Sequence, residues 1–181
     1  MRGAIRTCAQ AIALRLHPEP AHPDRAHTEH VTTTRGSPVG EIAASGWRHF
    51  SHDADMGVRA EGATPEQVFE QTALGMTALI TDPGGVAATE DVEIACEAPS
   101  LDLLLVDWLN ALVYEMAVRR MLFGTFVVKL DGTRLHGVAS GERVDVARHQ
   151  PVVEVKGATY TALKFSRRDD GRWEAQCILD V

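Results

Sequence analysis

The stretch Ser51-His52-Asp53-Ala54-Asp55-Met56-Gly57 places one histidine and two aspartates within four positions, at the head of a segment that alternates like a β-strand. Carboxylates are hard oxygen donors, so a pair held together suits a divalent cation such as Ca2+ or Mg2+. A second acidic point lies at Asp180 and the adjoining α-carboxylate of Val181. If the two strands lie side by side, Asp53, Asp55, Asp180 and Val181 converge, and like charges so close repel unless a cation or donors sit between them. The same groups pointing into water would repel by only about 1 kcal/mol, less in salt, and spacing alone leaves the two readings even. Lys156, one of three lysines, sits in Glu154-Val155-Lys156-Gly157 and reads as a surface residue of a strand or as a counter-charge to those acids. His149 reads as a hydrogen-bonded structural histidine or as a functional contact.

Other chemistries leave no signature. The chain has no glycine-rich phosphate loop, no His-Glu-x-x-His pair, no Gly-x-Ser-x-Gly elbow and no cysteine set spaced for zinc. Cys8, Cys96 and Cys177 are an odd, widely spaced set with no disulfide framework, the pattern of a reducing cytoplasm. No run approaches the roughly 20 apolar residues that span a bilayer. Residues 1–45 hold five arginines and four acids, a net of +1 against −7 for the whole chain, so residues 46–181 carry −8. A domain that acidic lacks the Lys/Arg cluster needed to displace phosphate counterions, and direct nucleic-acid binding is not expected.

The elements that must position these residues follow from periodicity. The first 45 residues, rich in Pro, His and Thr without apolar period, are expected to be disordered, and 46–181 to form the folded domain. Trp47–Phe50 and Met56–Glu61 read as short strands flanking the acidic stretch. Thr64, Pro65 and Gln67 mark a helix start, Val68, Phe69, Thr72, Ala73, Met76, Leu79 and Ile80 its buried stripe, and residues 82–85 its stop. Val92, Ile94 and Cys96 alternate as a strand. Pro99-Ser100 introduces a second helix with a stripe from Leu101 to Met116, off which Asp102, Asp107 and Asn110 fall. The rest is β-rich, with turns at Asp131-Gly132 and at residues 167–171. The class is α+β: one mixed, mostly antiparallel sheet packed with two principal helices in a single domain.

Taken together, His52-Asp53-Ala54-Asp55 with the run to Asp82, residues 103–115, residues 149–160 and the ending Ala175–Val181 resemble the archease family, in order and over most of residues 47–181. The resemblance implies a small, non-catalytic protein cofactor of the GTP-dependent tRNA-splicing RNA ligase, which joins cyclic-phosphate or 3'-phosphate ends to 5'-hydroxyl ends. Such a protein promotes guanylylation of the ligase's histidine and its multiple turnover. It further implies a divalent-cation site, usually calcium and alternatively Mg2+ or another divalent ion, on Asp55, Asp180 and Val181, with Lys156 in a contact or positioning role. His52, Asp53 and His149 are the other candidate contacts. The chain departs from the usual His-Thr-Ala-Asp at Asp53 and carries residues 1–45 in addition. Rival readings are a general chaperone or modulator of RNA-modifying enzymes, and a metal-dependent phosphoester hydrolase using His52 as base.

Overall fold

A computed structural model of the protein describes residues 45–181 together with a two-residue strand, β1 (Arg6–Thr7). Apart from β1 and Ser45, the stretch expected to be disordered, 1–45, lies outside the described residues. The remaining strands are β2 (Gly46–His52), β3 (Asp55–Gly62), β4 (Glu90–Glu97), β5 (Met121–Asp131), β6 (Arg134–Arg143), β7 (Gly157–Arg167) and β8 (Trp173–Asp180). Helices are α1 (Pro65–Ile80), α2 (Leu101–Arg119) and the single turn α3 (Val146–His149). The α+β class is as the sequence indicates, but the strands divide between two sheets, β1-β4-β6-β5 and β2-β3-β8-β7, instead of forming one. Every pairing is antiparallel except β1 with β4.

The composition of the helices explains the second sheet. In α2 the consecutive residues Leu104, Leu105 and Val106 are all buried, as are Leu112 and Val113. A helix apolar around so much of its circumference must be covered on more than one side. Accordingly α1 packs on β2, β3 and β8 and also on β5, while α2 packs on β7 and on β4, β5 and β6. The helices therefore lie between the sheets. Phe69, Trp108 and Phe123 are fully buried there, each contributing about 1.5–3 kcal/mol by its removal from water.

Local signals set the boundaries. The Thr64 hydroxyl accepts from Gln67 N–H at 3.3 Å, the Gln67 side chain accepts from Ala63 N–H at 2.9 Å, and Pro65 occupies the first turn of α1. Within α1, Gly75 lets the helix approach β3 closely: a Cβ there would stand 2.6 Å from Val58 Cγ1. The β5–β6 hairpin turns on Gly132-Thr133, with Gly132 at φ 61°, one residue beyond the turn expected at Asp131-Gly132.

Candidate functional site

The acidic stretch is a hairpin. His52 pairs with Asp55, leaving Asp53 and Ala54 as a two-residue turn in which Asp53 adopts φ 51°. Aspartate tolerates this left-handed conformation better than most residues, which gives Asp53 a structural reason to be there. Its carboxylate is 97% exposed and lies 4.0 Å from His52 Nδ1. Of the two geometries open to Asp53 and Asp55, the bend is the one adopted, so Asp53 stands on the turn and Asp55 opens β3.

β8 runs between β3 and β7. Met56 is opposite Leu179 and Gly57 opposite Ile178, so the next step along the same antiparallel register sets Asp55 opposite Asp180. Directly paired residues project to the same face of a sheet, and like charges in that relation are destabilising. Val58, Ala60, Cys177 and Leu179, on the opposite face, are buried without measurable exposure, so sliding the register by one residue to part the acids would expel that apolar set. The core thus fixes the register at this end of the sheet.

Lys156 closes this corner from the other side. Its N–H donates to Asp180 O at 2.8 Å, and its ammonium donates to Val181 O at 3.0 Å and stands 3.8 Å from Asp180 Oδ1. Asn110, off the apolar stripe of α2, fixes the following residues: its Nδ2 donates to Ala158 O at 3.1 Å and its Oδ1 accepts from Ala158 N–H at 3.0 Å. One side chain thereby takes the place of a neighbouring strand for Ala158. Sequence reading passed over Asn110, and the one signal available was a polar residue interrupting an otherwise apolar helix.

The carboxylates differ in what they hold. Asp180 has Lys156, whereas no ion pair or hydrogen bond engages the Asp55 carboxylate among the described residues. Among these residues no three His, Cys, Asp or Glu side chains cluster as a metal site on their own. The donors at the corner are Asp55, Asp180 and the main-chain oxygen of Val181, all oxygen, and the ammonium of Lys156 already occupies part of the space between two of them. That donor set fits a hard cation completed by water and does not suit zinc or another soft metal.

His149 is elsewhere, and the expectation of a functional contact is corrected by burial: its side chain is 1% exposed. Its Nδ1 accepts from Asp145 N–H at 2.9 Å, its Nε2 faces Glu142 Oε1 at 3.3 Å, and its carbonyl accepts from the Thr81 hydroxyl at 2.5 Å. Since Nδ1 accepts, the ring proton sits on Nε2 and donates to Glu142. Glu142 also accepts from Ala87 N–H at 2.6 Å and pairs with Arg148, which holds its carboxyl well down, to about 2. This clamp ties the end of β6 to α3 and to the turn after α1. Of the cysteines, buried Cys177 has its thiol pushed up to about 12 by burial and is inert. Cys96 is disulfide-bonded, which corrects the reading of unpaired cysteines and removes the support they gave to a reducing compartment.

Fold and corner together define a two-sheet α+β domain that presents paired strand-end carboxylates beside a lysine, with no helix among the described residues long and apolar enough to cross a membrane. The chain matches the Archease protein family (MTH1598/TM1083) over residues 47–181. It is 37% identical to protein archease of Pyrococcus furiosus over 139 residues, 75% of this chain and 98% of that one. Against protein archease of Methanopyrus kandleri the identity is 38%, covering 75% and 99%. The solution structure of Methanobacterium thermoautotrophicum protein 1598 is similar at 36% identity and a TM-score of 0.65, covering 75% of this chain and 99% of that one. The chain belongs to the archease family.

Proposed function

We propose that this protein activates a GTP-dependent tRNA-splicing RNA ligase, promoting guanylylation of the ligase's histidine and its multiple turnover, without itself sealing RNA. Family membership supports the partner. The observation that carries the role of the corner is the register of β3 with β8, whose next step beyond Met56–Leu179 is Asp55 with Asp180, while the Asp55 carboxylate has no partner among the described residues. A divalent cation, Ca2+ in first place and Mg2+ in second, is held by Asp55, Asp180 and Val181 O, neutralising two carboxylates that the sheet keeps together. Lys156, already on Asp180 and Val181, orients the corner and faces the partner; His52 and Asp53, on and beside the exposed hairpin turn, lie within the same contact. The domain's net charge of −8, set by the sequence, favours a basic enzyme as partner over RNA itself. A cytoplasmic location goes with that role and rests on it alone.

The test is a guanylylation assay: ligase, GTP, Mn2+ or Mg2+ and cleaved tRNA halves, with and without the full chain. Turnover beyond one round is expected only with the protein present, and Asp55→Ala, Asp180→Ala and Lys156→Ala each reduce it. Calorimetry with Ca2+ is expected to show one site in the wild type and none in either aspartate variant. An unchanged ligase with the protein present would remove the activator reading, and phosphodiester cleavage by the protein alone would favour the hydrolase instead.

A further inference from the structure

Between the C-terminal half of α2 and residues 151–157 lies a groove of about 850 Å3 that ends at Lys156 and Asp180. Val113, Met116, Met121 and Leu122 form its apolar floor. Its far wall is the segment leading into β7. That segment belongs to neither helix nor strand, and it is tied down only at its ends: Val152 N–H donates to Ile80 O at 2.9 Å and Lys156 N–H to Asp180 O at 2.8 Å. Between those anchors the peptide groups of Val153, Glu154 and Val155 make no hydrogen bond within the described residues: the ladder of β7 with β8 begins only at Gly157 opposite Asp180. Unpaired backbone beside an apolar trough costs free energy unless something completes it, more so here because Val155 is only 5% exposed. Val144 in the lining, with Val146 and Val152 alongside, is left exposed, a density of surface valines that marks a contact.

The charges at the rim choose the occupant. Glu154, Lys156 and Asp180 sum to −1, and Lys156 is already engaged by Asp180 and Val181, so the charge left open is Glu154, which has no ion pair among the described residues. We propose that this groove takes up, by strand addition along Val153–Val155, an extended segment of the partner ligase with alternating apolar side chains and a Lys or Arg that meets Glu154. The apolar side chains enter the trough, the backbone satisfies the free peptide groups, and the basic residue fixes direction. Docking there brings the partner up to Lys156 and Asp180. The identity of the partner rests on the activator reading; the chemistry of the groove does not.

Two probes test it on the full chain: a labelled hexapeptide alternating Val and Thr and ending in Lys, and the same peptide ending in Glu. The Lys peptide is expected to bind at least about tenfold more tightly, and to slow amide exchange at Val153, Glu154 and Val155. Ala117→Trp, at an exposed position of α2 that lines the groove, fills it without touching the core and is expected to weaken the Lys peptide by at least about tenfold at an unchanged melting temperature. Glu154→Lys is expected to reverse the preference between the peptides. Absence of binding, equal binding of both peptides, no protection at Val153–Val155 or indifference to Ala117→Trp each overturns the proposal. With the ligase itself, Ala117→Trp is expected to weaken association and Asp55→Ala to leave it measurable. A ligase whose binding ignores Ala117→Trp, or a self-association of the chain that Ala117→Trp abolishes, overturns the assignment of the occupant. A wild-type chain that binds the peptide and no ligase overturns the activator reading and the occupant while leaving strand addition in the groove standing.

Discussion

Two carboxylates close two strands of this molecule, Glu142 near the end of β6 and Asp180 at the end of β8, each with a basic residue beside it. Around Glu142 both carboxylate oxygens are engaged: Ala87 N–H, His149 Nε2 and Arg148 converge on them, and the histidine is buried. Around Asp180 the lysine is 61% exposed, the aspartate 51%, and the carboxylate of Asp55, one step past the Met56–Leu179 pair, has no donor among the described residues. A network that satisfies itself has no capacity left for a ligand and serves to fix the chain. On the function proposed above, the corner at Asp180, left short of positive charge, takes that charge from outside. The first is a clamp and the second an opening, and substitutions in them should act with opposite sign.

The largest effect is expected inside the clamp. His149→Ala leaves the Asp145 N–H without its partner, removes one of the two donors on Glu142 Oε1 and opens a void, and should destabilise the fold by about 3 kcal/mol, read from denaturant midpoints. Asn110→Ala, which strips both backbone groups of Ala158 of their partner, should cost about 2 kcal/mol and also lower ligase activation, because Lys156 lies two residues from the released position. If Asn110→Ala lost stability but kept full activation, the corner would not depend on that anchor. Acid titration separates the clamp by pH. The Glu142 carboxyl is lowered from 4.5 to about 2 by Arg148, the Ala87 N–H and His149, so the stability it contributes is complete above pH 4.5 and is withdrawn as pH falls toward 2. The melting-temperature gap between wild type and Glu142→Gln should therefore be constant near neutrality and close below pH 4.5. A gap that widened in acid would reverse the assignment.

How much of this was legible in sequence follows the range of the interactions. The helix limits were readable because Thr64-Pro65-Gln67 and Asp82-Pro83-Gly84-Gly85 act within one turn of the residues they stop or start. Asp55 and Asp180 are 125 residues apart in the numbering; the sequence brings them together only on the condition that the first and last strands adjoin, and the family resemblance supplies that condition, while composition and spacing leave metal and solvent equally open. The split into two sheets was signalled by the nearly continuous apolar face of α2, which was read as one stripe. The two readings of His149 cannot be separated in sequence because nothing local reveals that Glu142, seven residues earlier and itself held by Ala87 from another element, faces its ring. Asn110 and the unpaired peptide groups of Val153–Val155 left no sequence signal beyond a polar residue on a helix and a run of valines.

The smallest effect is also the one that separates the two regions most sharply. Asp55→Asn keeps the shape of the side chain and removes one of two like charges that the sheet sets opposite each other. In the presence of a chelator this should stabilise the protein, by no more than about 1 kcal/mol, since cross-strand like charges near a surface cost between about 0.2 and 1 kcal/mol. Raising the salt concentration should shrink the gain, because screening weakens the repulsion in the wild type and leaves the variant unaffected. In calcium the order should invert: an ion bound only by the folded wild type adds stability as its concentration passes the dissociation constant, and the variant, short of one oxygen charge, gains little. Thermal melts of both proteins in chelator and in calcium therefore should cross. Parallel shifts in the two conditions would mean that Asp55 faces water with no ion to hold, and the corner would then differ from the Glu142 clamp only in being more exposed.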